Sequence, residues 1–453
     1  MPDGRVLVVG TTSDYIDLIS RRYPERALFV TDALERRKAR ELPPSPGNEV
    51  LVDLRQSDAV YQSLVAHLSE YHLKLNGVAC YDCESMALAA DLAGRFGLAY
   101  PSVESIHLLR DKFRTKQIWQ ERGVNCPRAV LVRSERDVLR FADSVGYPIV
   151  LKPLTGSGSE LTFRCDDRKQ CLKHYSQVKS GLGKLAGSRM YSIADAEVAA
   201  GTMQPAIVTE KLVEGPEYSC DFIIEGDTVR IIRIAGKIRS CRLTFGTTLA
   251  YLLPARLPDG LDTSHLAGKL RDASKALGID RAVCMVDFIM HNKRPCFLEL
   301  TPRPGGDCLP PLIMRSCGLD MLGVALDFAE SRPVSAPPEA EWTRLVGARM
   351  FARQEGMISR LDTGAVQAHP AVVECWLKRS PGHVVTLPPE DYESWLLGHV
   401  IFKPSSLHYH LLERESEAIV SRLAVDFETR HEQKLRGLLS PHRRAAEAAD
   451  TAA

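Results

Sequence analysis

Asp287 and Glu299 sit in two strand-like runs, Cys284 to Met290 and Cys296 to Leu300, joined by turn residues His291 to Pro295. The second run continues into Thr301, Pro302, Arg303, Pro304, Gly305 and Gly306, so two acids, a hydroxyl and an arginine converge on one β-hairpin. Hard divalent ions favour carboxylate and phosphate oxygens, and a carboxylate pair beside an arginine reads as a site for metal-bound nucleotide. Lys152 ends the run Pro148 to Lys152 and precedes Thr155, Gly156, Ser157, Gly158 and Ser159, a small-residue loop whose backbone N–H groups can approach phosphate oxygens. No Gly-Lys-Ser/Thr follows in Walker register, and taken alone the loop reads first as an ordinary turn. Thr209 to Glu217 offers an apolar strand whose backbone can meet an adenine edge, with Glu217 within reach of ribose hydroxyls. By itself that segment also reads as a solvated strand edge.

The elements that must hold these groups follow from hydrophobic periodicity. Residues 5 to 102 alternate short β-rich runs (Arg5 to Val9, Ala27 to Val30, Glu49 to Leu54, Gly77 to Cys80) with helical stretches such as Ala59 to Leu73 and Glu84 to Phe96. That order predicts a parallel, Rossmann-like sheet covered by helices. Gly10 ends the first strand, but the full dinucleotide fingerprint is missing, so it reads as a turn glycine. Asp111 caps a helix that Gly123 closes, which puts Lys112 and Lys116 on one face. From Cys126 to Leu300 strands dominate: Cys126 to Val132, Tyr147 to Pro153, Ile207 to Val213, Tyr218 to Ile224 and Val229 to Ala235 precede the acid-bearing hairpin, and the centre reads as antiparallel α+β. Pro333, Pro337 and Pro338 mark a linker before a third unit from about Arg344 to Phe427, and the alanine-rich end reads as a tail.

Length and composition bound the rest. The 453 residues predict roughly three domains. A net charge of +1, from 58 basic and 57 acidic residues, argues against a nucleic-acid or membrane partner held by field strength. The twelve cysteines are scattered through strand-like segments, as expected of reduced core thiols. With no signal-peptide pattern and no apolar run near roughly 18 residues, the expected location is cytoplasmic.

Together, Lys112, Lys152 with its loop, Glu210-Lys211-Leu212-Val213 ahead of Glu217, and Asp287 with Glu299 and Arg303 occur in the order and approximate spacing of the ATP-grasp superfamily, over about residues 105 to 330. The resemblance implies that Lys112 and Lys152 contact nucleotide phosphates and that Thr155, Gly156, Ser157, Gly158 and Ser159 form a lid over them. It implies an adenine hinge at Glu210, Lys211, Leu212 and Val213, with Glu217 on the ribose. Asp287 and Glu299 correspond to the Mg²⁺ carboxylates, and Arg303 to the arginine that steadies the transferred phosphate. Many members place Asn where this chain has Thr301; a hydroxyl is a shorter and weaker donor, so water would complete that part of the metal shell.

The flanks are similar to those of carboxylate-amine ligases that include the L-amino acid ligases. The expected plan is a Rossmann-like domain (1–104), an ATP-grasp domain (105–335), a smaller C-terminal α+β domain on the substrate side (342–430) and a tail (431–453). The implied activity is ATP-dependent joining of a carboxylate to an amine through an acyl phosphate, releasing ADP and phosphate. The cofactors would be ATP and two Mg²⁺ ions, Mn²⁺ being the alternative metal. The partners would be small-molecule substrates and, as an assembly, a homodimer, with no nucleic acid and no membrane. Alternatives are a carbamoyl- or carboxyl-phosphate or purine-pathway enzyme of the superfamily, or a non-catalytic nucleotide-binding sensor.

Other motifs carry less. Cys80 and Cys83 have the spacing of a metal or redox half-site but lack a second pair. His408 and His410 are expected on one strand face. Arg233, Lys237, Arg239 and Arg242 could meet phosphate or a substrate carboxylate, or form a charged outer face.

Overall fold

The computed structural model describes residues 4–185, 187–191, 206–257 and 261–428. The expected tail (431–453) lies outside them. The chain divides into two compact units that meet in sequence at Leu345 and Val346. The expected boundary at 104/105 lies inside the first unit.

That unit begins with strands β1 (Gly4–Val9), β2 (Ala27–Asp32), β3 (Glu49–Val52) and β4 (Lys74–Ala79), an all-parallel sheet in the order β3-β2-β1-β4. Alternation in β1 buries Leu7 and Val9 on one face and Val6 and Val8 on the other. Helix Met86–Phe96 covers the first face. The second is covered by helix Ser13–Arg22 and by a distant one, Met321–Ala329, whose Leu322, Ala325 and Leu326 join its core. Arg26 pairs with Asp327 at 2.7 Å and Glu330 at 2.6 Å, tying the same helix down.

Next come β5 (Ala129–Val132), β6 (Ile149–Pro153), β7 (Phe163–Cys165) and β8 (Ile207–Lys211), an antiparallel sheet in the order β5-β8-β6-β7. The larger sheet of this unit contains β9 (Glu217–Glu225), β10 (Thr228–Arg239), β11 (Thr248–Leu253), β12 (Arg281–His291) and β13 (Arg294–Thr301), running β13-β12-β9-β10-β11. Its period-2 pattern separates two chemistries. Tyr218, Cys220, Phe222, Ile234, Val286 and Phe288 pack with Trp119 of helix Lys112–Glu121 and Leu266 and Leu270 of helix Thr263–Ala276. Alternate positions on β9 and β10 carry Glu217, Ser219, Asp221, Arg233 and Lys237.

The most deeply buried of these is an ion pair. Arg233 grips Asp221 through Nε at 2.9 Å and Nη2 at 3.0 Å, and its Nη1 donates to the Ser219 carbonyl at 2.8 Å. Asp221 Oδ1 also accepts the Gly305 N–H at 3.0 Å, which anchors the loop after Arg303. A Cβ on Gly305 would stand 2.5 Å from Arg233 Nη2, so only glycine permits this approach. Arg233 is therefore a core anchor, not part of a charged outer face.

In the second unit, β14 (Leu345–Phe351), β15 (Gly356–Asp362), β16 (Val372–Leu377), β17 (Val384–Val385), β18 (Leu396–Phe402) and β19 (Ala424–Phe427) form antiparallel pairings, β14-β18-β16 and β17-β15-β19. His408 and His410 are not on a strand. His408 is the N-cap of helix Tyr409–Val420, which buries Leu412 and Ile419, and Leu, Glu and Arg favour that helix over an extended run.

Asp221→Ala leaves a guanidinium buried without its counter-ion and should cost about 3–5 kcal/mol of stability. Denaturant unfolding checks this, and a loss below about 1 kcal/mol, the scale of an exposed pair, would contradict the burial of Arg233.

Candidate active site

An open cleft in the first unit is lined on one wall by Lys112, Lys152 and Glu210, and on the other by Glu217, Lys237, Asp287 and Glu299. Asp111 caps the helix that starts at Lys112, accepting the Phe113 and Arg114 N–H groups. One turn on, Lys116 is 1% exposed and points inward. Glu210 Oε1 lies 2.8 Å from Lys116 Nζ and 2.9 Å from Lys152 Nζ, so one carboxylate on β8 draws together a helix and a strand. Burial pushes the Glu210 carboxyl up, but the two ammonium groups more than reverse this and hold it below its ordinary value. Burial also lowers Lys152.

Lys112 has no carboxylate at contact distance among the described residues; its Nζ donates to the Gly156 carbonyl at 2.7 Å. Burial pushes its ammonium down to about 8, Glu299 opposes the shift, and Lys152 and Lys116 add to it. Across the cleft Glu299 likewise forms no ion pair among the described residues, and in the ladder it stands directly opposite Asp287. An unpaired cation thus faces an unpaired anion, the arrangement that a phosphate chain carrying a divalent ion would satisfy. Asp287 is occupied: Lys237 Nζ lies 2.7 Å from it and 2.7 Å from Glu217. Arg239 also pairs with Glu217.

The residues from Thr155 to Ser159 line the cleft. Gly156 has φ +105°, and a Cβ there would meet the Tyr191 ring at 2.6 Å. Ser159 Oγ donates to the Gly246 carbonyl at 2.9 Å, closing the loop against the strand connection opposite. In the segment expected as a hinge, Lys211 Nζ donates to the Gly146 and Tyr147 carbonyls, both at 3.2 Å, and the Leu212 N–H donates to the Pro148 carbonyl at 3.3 Å. The Val213 N–H has no hydrogen-bond partner among the described residues, and Val213 lines the cleft.

Thr301 and Arg303 are not cleft-lining residues. Thr301 is buried and pairs with Met285 in the ladder. Arg303 donates to Cys83 Sγ from Nε and Nη2 at 3.2 and 3.1 Å. Lys116, Lys237 and Arg239 are the additions to the expected site. Lys237 and Arg239 belonged to the basic cluster read from sequence, and Lys116 was placed beside Lys112 on one helical face. None of the twelve cysteines is in a disulfide, and no cluster of three or more His, Cys, Asp or Glu ligands occurs among the described residues. A hard ion held by two carboxylates plus phosphate needs no such cluster.

Residues 145–311 match the family model of the ATP-grasp domain. The chain carries an ATP-grasp domain. An uncharacterized protein of Sinorhizobium fredii is 24% identical over 297 residues, which cover 65% of this chain and 57% of that protein. A D-alanine–D-alanine ligase of Pseudomonas fluorescens is 28% identical over 227 residues, 48% of this chain and 62% of the ligase. The alignments therefore span less than two thirds of either relative. The crystal structure of an L-amino acid ligase from Bacillus licheniformis shares the fold at a TM-score of 0.71 and 18% identity, covering 95% of this chain and 100% of the ligase. The resemblance to ATP-grasp ligases is borne out, and with it the mixed α/β fold class.

The Lys112 value near 8 sets a pH expectation for the cleft. Phosphate favours the protonated amine, so ATP affinity should weaken as pH rises through about 8, by no more than about tenfold per unit for this one group. Calorimetric titration checks this, together with proton uptake on binding near pH 8. Lys112→Arg, charged throughout, should abolish the Lys112-linked fall, and an unchanged profile would exclude Lys112 as its source.

Proposed function

We propose that the protein is an ATP-dependent carboxylate-amine ligase that activates an acid as its acyl phosphate and releases ADP and phosphate. The observation that carries this reading is that Lys112 and Glu299, neither in an ion pair among the described residues, line one cleft with residues of the matched ATP-grasp region. The two ligases named above, which join amino acids, support the same chemistry as an analogy.

In this reading the Val213 N–H and the neighbouring hinge backbone receive the adenine edge, and Glu217 meets the ribose once its cations rearrange. Lys112 and Lys152 hold the phosphates under the loop from Thr155 to Ser159. Asp287 and Glu299 fit Mg²⁺, two ions with Mn²⁺ as substitute, which when bound would neutralise phosphate charge. Thr301 stands behind them as the proposed weak oxygen donor, its part completed by water. Arg303 gathers the charge of the transferred phosphoryl group, a contribution concentrated in the transition state. Placement and charge neutralisation are what phosphoryl transfer asks of a protein, and no protein nucleophile is required.

The regions flanking the ATP-grasp domain, 1–104 and 342–430, are assigned to the carboxylate and amine substrates, and a homodimer is the proposed assembly. Among the described residues no helix is long and apolar enough to cross a membrane; the proposed location is the cytoplasm.

A panel of amino acids and amines, assayed for ADP release, identifies the pair. Hydroxylamine supplied with the correct acid should trap the acyl phosphate as a hydroxamate. AMP and pyrophosphate formed in step with product would refute acyl-phosphate chemistry. Glu299→Ala should keep the fold and lower turnover on the order of 10³-fold, because phosphate charge goes uncompensated; near wild-type turnover would remove Glu299 from the metal site.

A further inference from the structure

Arg303 and Cys83 are 220 positions apart in sequence, yet Cys83 Sγ accepts two N–H groups of the Arg303 guanidinium, at 3.2 and 3.1 Å. The third contact is local, from Nη1 to the Pro304 carbonyl at 2.8 Å. Arg303 has no carboxylate partner among the described residues. Both sides of the contact are braced. On the Cys83 side, Asp82 accepts the Ser85 N–H at 2.6 Å and the Ser85 hydroxyl at 3.0 Å, and Arg110 Nη1 donates to the Cys83 carbonyl. On the other, Gly305 N–H is held by Asp221, itself locked by Arg233.

The chemistry of the acceptor matters. A carboxylate would orient the guanidinium equally well but cancel the charge that a phosphoryl group needs to meet. Sulfur is a weak, soft acceptor that can fix the plane of the fork and leave the positive field largely uncancelled. We propose that Cys83 is the positioning residue of Arg303: the turn after β4 supplies a thiol that aims the arginine without neutralising it. This rests on Arg303 serving the transferred phosphoryl group.

The test uses the full chain with MgATP, hydroxylamine and the twenty standard L-amino acids as pooled carboxylates, reading hydroxamate and ADP. Cys83→Ala should lower kcat between about 10-fold and 10²-fold, the scale of a misplaced catalytic group, with KM for ATP within about twofold of wild type. Cys83→Ser, which keeps an acceptor, should retain more turnover than Cys83→Ala. Cys83→Asp, which keeps the contact but cancels the charge, should lose turnover at least as heavily as Cys83→Ala. In an Arg303→Ala background Cys83→Ala should add no further loss. Wild-type kcat in Cys83→Ala, serine no better than alanine, or an active Cys83→Asp would each overturn the positioning role while leaving an inactive Arg303→Ala, and the ligase reading, intact. Wild-type turnover in Arg303→Ala would overturn the role of Arg303 and with it that of Cys83, while the hydroxamate and ADP formed would still support the ligase reading.

Discussion

The Glu210 carboxylate, shared between Lys116 and Lys152, is the interaction on which the lysine-bearing wall of the cleft depends. Ammonium groups at this depth cannot stay charged without a counter-ion, and a single carboxylate between two of them supplies the attraction without extinguishing the positive field. Lys116 also donates to the Leu298 carbonyl at 2.9 Å, beside Glu299 on β13. The node therefore ties helix Lys112–Glu121, β6, β8 and the acid-bearing hairpin into one register. Lys112, at the start of the same helix, has no carboxylate in contact among the described residues, and it lines the cleft.

The larger sheet solves a second problem, placing several ionisable groups beside one another without unfolding the domain. Its apolar face, from Phe222 and Ile234 to Phe288, packs on two helices. This leaves the opposite face free to carry Glu217, Asp221, Arg233 and Lys237. Pairs that are complete, Arg233 with Asp221, serve as anchors. Groups left incomplete, Glu299 above all, are available to a ligand. The division between scaffold and site is thus a division between satisfied and unsatisfied charge on a single face.

Much of this was legible in the sequence. The hairpin of Asp287 and Glu299 was readable because alternation and turn residues are local signals, and the structure pairs the two acids directly. The Asp111 cap and the parallel order of the first strands were readable for the same reason. Lys237 escapes assignment from sequence because the apolar run Val229 to Ala235 breaks at Gly236, whereas β10 continues to Arg239 and its Lys237 pairs with Glu217 of β9 and Tyr251 of β11. Lys116 looked like any lysine on a helical face until β8 brought Glu210 to it. The Arg303–Cys83 contact joins turns from two sheets, and no local pattern encodes it. Local periodicity thus fixed the secondary elements, and the charges whose partners lie far along the chain emerged only with tertiary pairing.

Lys237 has a consequence for how the two ends of the cleft communicate. It lies 2.7 Å from both Glu217 and Asp287, and on the proposed assignment the first belongs to the ribose and the second to the metal. Burial lowers the Lys237 ammonium, but the attraction of Asp287 and its other neighbours more than reverses this and holds it above its ordinary value. On that assignment a divalent ion at Asp287 would repel this ammonium and favour its pairing with Glu217. On that assignment sugar and metal would not occupy independent subsites: whichever arrived first would change the hold of one lysine on the acid the other requires.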